Sequence, residues 1–230
     1  MRRIQNTLWL AIWLAGLGAA AAGPRSGLAA QAAAPATIYL PAVYQSYAVS
    51  GPGDPGYCLA AEEAQLADLL NAHRRANGLA DVPASKSLST VAQWHVRDLQ
   101  LHNPASGTDP RGQSCNLHSW SAFGDWTPVC YTSDHYYASG MWLKPNEITH
   151  GVYSSYGFEI AVGGQGWTAT AEAALDSWKS SPPHNAVILE QGVWAGYQWP
   201  AMGVGVYGGY AVTWFGRAAD PAGTIAACGP

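Results

Sequence analysis

Apolar positions along this chain recur with two different periods. In "AAEEAQLADLLNAHRRANG", Leu66, Leu69, Leu70 and His73 share one face, Glu62 and Glu63 open the segment, Arg74 and Arg75 close it, and Gly78 stops it. That spacing and end chemistry predict an amphipathic helix. "SLSTVAQWHVRDLQL" repeats the logic, with Ser87 as N-cap and Leu88, Val91, Ala92, His95 and Leu99 on one stripe. "TATAEAALDSW" predicts a third helix, with Thr170 as N-cap and Ala171, Ala174, Leu175 and Trp178 inward. The period then falls to two in "MGVGVYGGYAVTWFG", where Gly208-Gly209 splits two alternating runs and predicts a hairpin. "YGFEIAVGG", Tyr156 to Gly164, reads as another short strand, and the aromatic stretch between Cys115 and Tyr156 reads as a long loop without clear period. Helices early and antiparallel strands late argue for an α+β fold with helices packed on a sheet. His73 and His95 fall on apolar helix faces, which predicts hydrogen-bonded core histidines.

The start of the chain has a different character. Arg2 and Arg3 precede an uncharged run from Leu8 to Ala22, and Ala-rich sequence follows, so residues 1–34 read as a secretory signal peptide with cleavage between Ala22 and Ala34. The run is too short for a membrane-spanning helix, and no later segment approaches that length. Residues 35–56, rich in Pro, Gly, Ser and Ala around "TIYLPAVY", read as a linker, which leaves residues 57–230 as one domain. The expected location is extracellular. In an oxidising compartment an even number of cysteines favours disulfides: Cys58 and Cys228 bracket the domain, Cys115 and Cys130 bracket a loop, and those pairings are expected.

Charge and motif content exclude several functions. Net charge is -4, with 11 Lys plus Arg, so no basic face is available for a nucleic acid. There is no G-x-S-x-G elbow, H-E-x-x-H helix or Walker loop. Gly203, Gly205 and Gly208 match G-x-G-x-x-G, but they lie inside the predicted hairpin with no helix after them, so the dinucleotide reading lacks its context.

What remains is a dispersed set: His118, Glu159, Glu172 and His184. The ordered segments "LLNAHRRANGL", "LSTVAQWHVRDL", "CNLHSW", "YGFEIA", "ALDSW", "SPPHNAVIL" and "GVGVYGGYAVTWFG" resemble the CAP superfamily of cysteine-rich secretory proteins, antigen 5 and pathogenesis-related 1 proteins, also called SCP domains. The resemblance implies an α-β-α sandwich, an antiparallel sheet between helices, in a secreted protein whose cleft carries two histidines and two glutamates. On it, His118 is similar to the first cleft histidine, Glu159 to a cleft glutamate and His184 to the second histidine. The second glutamate's place is held by Ser181, and Glu172 lies on the same helix about half a turn away from it. Asp134, His135, Glu147 and His150, from an unusually long insert, are further donors for which surface roles are expected.

Two imidazoles and a carboxylate suit a divalent metal such as zinc, so His118, Glu159 and His184 form the expected metal set. Ser181 and Pro182 predict a helix start that keeps His184 unprotonated in its first turn. Glu172 and Trp120 are the expected ligand contacts. The leading expectation is a non-enzymatic domain binding an extracellular small molecule, lipid or sterol. The alternatives are a hydrolase using metal-bound water with Glu159 as base, and an adhesive surface module using Trp120, Trp126, Trp142 and Trp167.

Overall fold

A computed structural model describes residues 53–229, all within the unit Ser46–Pro230. The signal-peptide reading of residues 1–34, and the linker reading up to residue 52, lie outside the described residues.

The first predicted helix is α1, Ala61–Ala76, and the second is α2, Lys86–His102. The start of α2 is corrected by two residues. Ser85 is the N-cap, its hydroxyl accepting from the Leu88 amide at 3.0 Å, whereas the Ser87 amide and hydroxyl donate to Asp220 at 2.7 and 2.8 Å. Asp220 comes from the far end of the chain, so local sequence carried no sign of it. The stretch read as a loop contains two five-residue helices, α3, Ala138–Trp142, and α4, Lys144–Ile148, each too short to generate a visible period. Strand β1, Gly157–Gly163, follows, then α5, Ala171–Ser180, capped by Thr170 as predicted, and α6, Pro182–Ile188. The hairpin closes the fold as β2, Ala201–Tyr207, and β3, Tyr210–Gly216, with Gly208 at φ +56° in the turn.

The three strands form one antiparallel sheet in the order β1-β3-β2. Side chains alternate between its faces. Phe158, Ile160, Met202, Val204, Ala211 and Phe215 join α1, α5 and α6 in one core, whereas Ala161, Tyr210, Val212 and Trp214 meet α2 in the other. This is the expected α-β-α sandwich.

The glycines of the discarded dinucleotide motif explain how tightly α2 sits. A Cβ at Gly203 would stand 2.0 Å from the Leu88 carbonyl carbon, and one at Gly205 would stand 2.5 Å from that of Ala92. They are the places where a helix backbone touches a strand backbone.

Both expected disulfides are present, Cys58–Cys228 and Cys115–Cys130. No helix among the described residues is long and apolar enough to cross a membrane.

Candidate functional site

Glu159 is the only charged residue of β1, and the alternation that sends Phe158 and Ile160 to one core sends it toward α2. There it is fully enclosed, and both its oxygens are taken. Oε1 accepts from His95 Nδ1 on α2, and Oε2 accepts from His118 Nδ1 at 2.7 Å. Burial alone would push the carboxyl up, but His95 and His118 outweigh it and hold the group below its ordinary value, so Glu159 is a carboxylate.

A carboxylate accepts only, which puts a proton on Nδ1 of both rings. His95 Nε2 faces another acceptor, the Ser119 carbonyl, at 2.9 Å. Both nitrogens of His95 therefore donate. Its face stacks on Trp120 at 4.1 Å and 7° while Glu159 holds its edge, deep in the core. His118 is less enclosed: the Cys115–Cys130 loop carries it, and the Asn116 side chain accepts from its amide at 3.0 Å. With Nδ1 held by Glu159, Nε2 is its available nitrogen.

His184 reaches the same place from the first turn of α6. Ser181 stands at the N-cap with Pro182 next, as predicted, but its hydroxyl caps no amide and instead meets His184 Nδ1 at 2.8 Å. That contact also leaves Nε2 available. Burial, then the His118 charge, lowers the His184 pKa below its ordinary value, so the ring is neutral at pH 7.

His118, Glu159 and His184 all line one cavity of about 370 Å³. Its other walls are mainly apolar: Met141 and Trp142 from α3, Phe158 and Ile160 from β1, Val187 from α6 and Trp194 beyond it. Tyr131 and His135 complete the polar end, the Tyr131 hydroxyl standing 3.0 Å from His135 Nδ1. Lysine, arginine, serine, threonine and cysteine are absent from this lining among the described residues.

Other expected residues lie elsewhere. Glu172 is outside the cavity, its side chain accepting from Gln65 on the exposed join of α5 and α1. Trp120 is 2% exposed, so it supports His95 and cannot serve a surface partner. Asp134 pairs with Arg111, and Glu147 pairs with Lys144 at 2.5 Å. His150 lines a separate cavity. The expected metal set is brought to one cavity, where Glu159 gives one oxygen to His118 and the other to His95 rather than His184; among the described residues no group of three or more His, Cys, Asp or Glu is arranged to hold an ion.

Sequence reasoning placed His95 in the core and missed its partner. The available signal was Glu159 itself, a lone carboxylate in an otherwise apolar strand, which demands a buried counter-group.

Residues 67–215 match the profile of CAP, the cysteine-rich secretory protein family. No curated protein matches the chain. Among solved structures, an extracellular protein containing an SCP domain from Bacillus anthracis aligns at 19% identity and TM-score 0.44, over 68% of this chain and 40% of that one. A cysteine-rich secretory protein from Staphylococcus aureus aligns at 15% identity and TM-score 0.41, over 68% and 39%. An outer surface protein from Borrelia burgdorferi aligns at 14% identity and TM-score 0.39, over 66% and 88%. The chain thus covers about 40% of the first two.

Proposed function

The chain belongs to the CAP, cysteine-rich secretory protein family, and from that premise we propose that it is an extracellular binding domain whose cavity takes a small amphiphile with a hydroxyl head group. The observation that carries this reading is the pairing, in one mainly apolar cavity, of two imidazoles whose Nε2 atoms have no protein partner among the described residues. The His184 ring is neutral, and an unpartnered imidazole nitrogen accepts or donates one hydrogen bond according to where its proton sits; an alcohol satisfies either. No lysine or arginine stands in the described lining to pair with an anionic head. Met141, Trp142, Phe158, Ile160, Val187 and Trp194 supply the surface for an apolar body such as a sterol or an alkyl chain.

The hydrolase alternative is less well supported. Glu159 is enclosed and already bound on both oxygens, so it is poorly placed to act as a base toward water. The described lining offers no serine, threonine or cysteine for covalent chemistry.

Titration of the secreted chain with dodecanol and with dodecanoate, in the presence of EDTA, tests the proposal. Saturable dodecanol binding that exceeds dodecanoate binding and is lost in His118→Ala/His184→Ala is expected. Failure of both ligands to bind, or unchanged binding in the double variant, overturns it.

A further inference from the structure

A second cavity lies at the C-terminal end of α2, where Trp94, Phe123 and Trp126 stand with His102, Asp125 and His150. Its volume is about 130 Å³, room for one small ring, and no residue of the His118–His184 cavity lines it. Trp94 and Trp126 meet at 61° with centroids 6.0 Å apart, giving two walls of a corner. The Trp126 indole is fixed by its Nε1, which donates to the Ser121 carbonyl at 2.9 Å. Gly124 lets the ring lie over the loop backbone: a Cβ there would stand 2.2 Å from the indole. The third ring, Phe123, is 76% exposed and stacks on His102 at 4.5 Å. A large aromatic held open to solvent beside fixed indoles is an unusual surface for a chain to leave bare.

The charges around these rings decide what fits. The Arg97 guanidinium borders the cavity but donates to the Gln93 and Gly53 carbonyls at 2.8 and 2.6 Å and sits over the Tyr207 ring. Asp98 accepts from the amide and hydroxyl of Ser121. Both charges are therefore committed outside the cavity. An anionic ligand would meet Asp98 and Asp125. A cationic one would join an aromatic cluster that already holds a cation, since Lys144 Nζ lies 5.4 Å from the Trp120 ring, which packs edge-on against Trp126. What is left is apolar ring faces flanked by the Asp125 carboxylate, which accepts, and the His102 imidazole, which donates or accepts.

We propose that this cavity binds a neutral pyranose, as a free sugar or as the terminal unit of a glycan. A pyranose presents axial C–H bonds to an aromatic face while its hydroxyls point outward in the ring plane, which places them toward Asp125 and His102 on the cavity rim. The proposal is independent of the amphiphile reading because the two cavities share no lining residue.

Calorimetric titration with methyl β-D-glucopyranoside, methyl α-D-mannopyranoside and methyl β-N-acetylglucosaminide tests the free sugar, and an array of immobilised oligosaccharides tests the chain-terminal unit. Saturable binding in either arm, weakened at least about tenfold in Phe123→Ala/Asp125→Ala and retained in His118→Ala, is expected. Both substituted side chains are exposed, and circular dichroism verifies that the variant is folded. Binding in neither arm, binding undiminished in the double variant, or binding of tetramethylammonium in place of the sugars overturns the proposal.

Discussion

His118 Nδ1 lies 2.7 Å from Glu159 Oε2, joining a loop to an edge strand across 41 residues of sequence. The other oxygen of Glu159 holds His95, so one buried carboxylate orients two imidazoles, one in the core and one at the cavity. Glu159→Ala strands both rings. Breaking a buried charged pair by removing one partner costs about 3 to 5 kcal/mol, and urea denaturation at pH 7 is expected to show a loss of that order. Glu159→Gln should lose less, because its amide oxygen still accepts from one ring. A loss below about 1 kcal/mol for the alanine variant would place the pair among those worth no more than an exposed one.

The same carboxylate sets an acid limit. Its pKa is lower in the folded protein than the ordinary 4.5, so near that pH the unfolded chain binds more protons. Its contribution is therefore complete above the unfolded value and is lost as pH falls through the folded one. Melting temperature followed from pH 7 to pH 3 should drop at the acid end, and the drop should be shallower in Glu159→Gln. Parallel curves for the two proteins would remove Glu159 from the explanation.

Trp120 offers a clean separation of structural and binding roles. It stacks on His95 and is almost entirely buried, so Trp120→Ala should act through a cavity in the core, at about 3 to 5 kcal/mol. The expected signature is a lower denaturation midpoint with ligand affinity unchanged in the fraction that remains folded. Weaker affinity at unchanged stability would restore Trp120 as a ligand contact.

How much of this was readable beforehand depended on how local the cause was. The stripes of α1, α2 and α5, the Thr170 cap and the Gly208-Gly209 turn each follow from a few neighbouring residues, and all three strands were anticipated. Ser85, not Ser87, caps α2, and Asp220, more than 130 residues away, accepts from both serines, a long-range anchor that local spacing does not show. The short helices α3 and α4 were illegible because five residues cannot establish a period. At the site, family resemblance supplied His118, Glu159 and His184, and the structure brings them to one cavity. The second glutamate has no counterpart there: Glu172 points to Gln65, and Ser181 turns its hydroxyl to His184. His95 escaped because its role is a long-range pairing with a strand residue, and spacing along a helix does not encode that.

Gly205 is expected to tolerate no side chain. Its missing Cβ would stand 2.5 Å from the Ala92 carbonyl carbon and oxygen, and a helix backbone cannot rotate aside as a side chain can. Gly205→Ala must lift α2 from β2 or distort the strand, at a cost of about 1 to 3 kcal/mol or more for overpacking. Differential scanning calorimetry checks this, with Gly78→Ala as a contrast. Gly78 has open space around it, so its penalty arises from its φ of +77° alone. A Gly205→Ala protein as stable as wild type would mean that the close approach is not what seats α2.

His184 gives the proposed binding its pH dependence. Burial, and then the His118 charge, hold its pKa below the ordinary 6.5, so between the folded value and 6.5 the folded chain binds fewer protons than the unfolded one. Stability should therefore decline as pH falls through that window, and His184→Gln should flatten the decline. The neutral ring is also the form that accepts from an alcohol, and its depressed pKa keeps that form present at lower pH than in a free imidazole. Dodecanol affinity is accordingly expected to stay level from pH 8 to about 6.5 and to fall below that as the ring gains its proton. In His184→Ala the affinity should be lower by about tenfold, as for one lost hydrogen bond of about 1 to 1.5 kcal/mol, and should lose the part of its pH dependence that His184 supplies. Dodecanol affinity that rises as pH falls would mean that the imidazolium donates to the hydroxyl, and would exclude the neutral His184 ring as its acceptor.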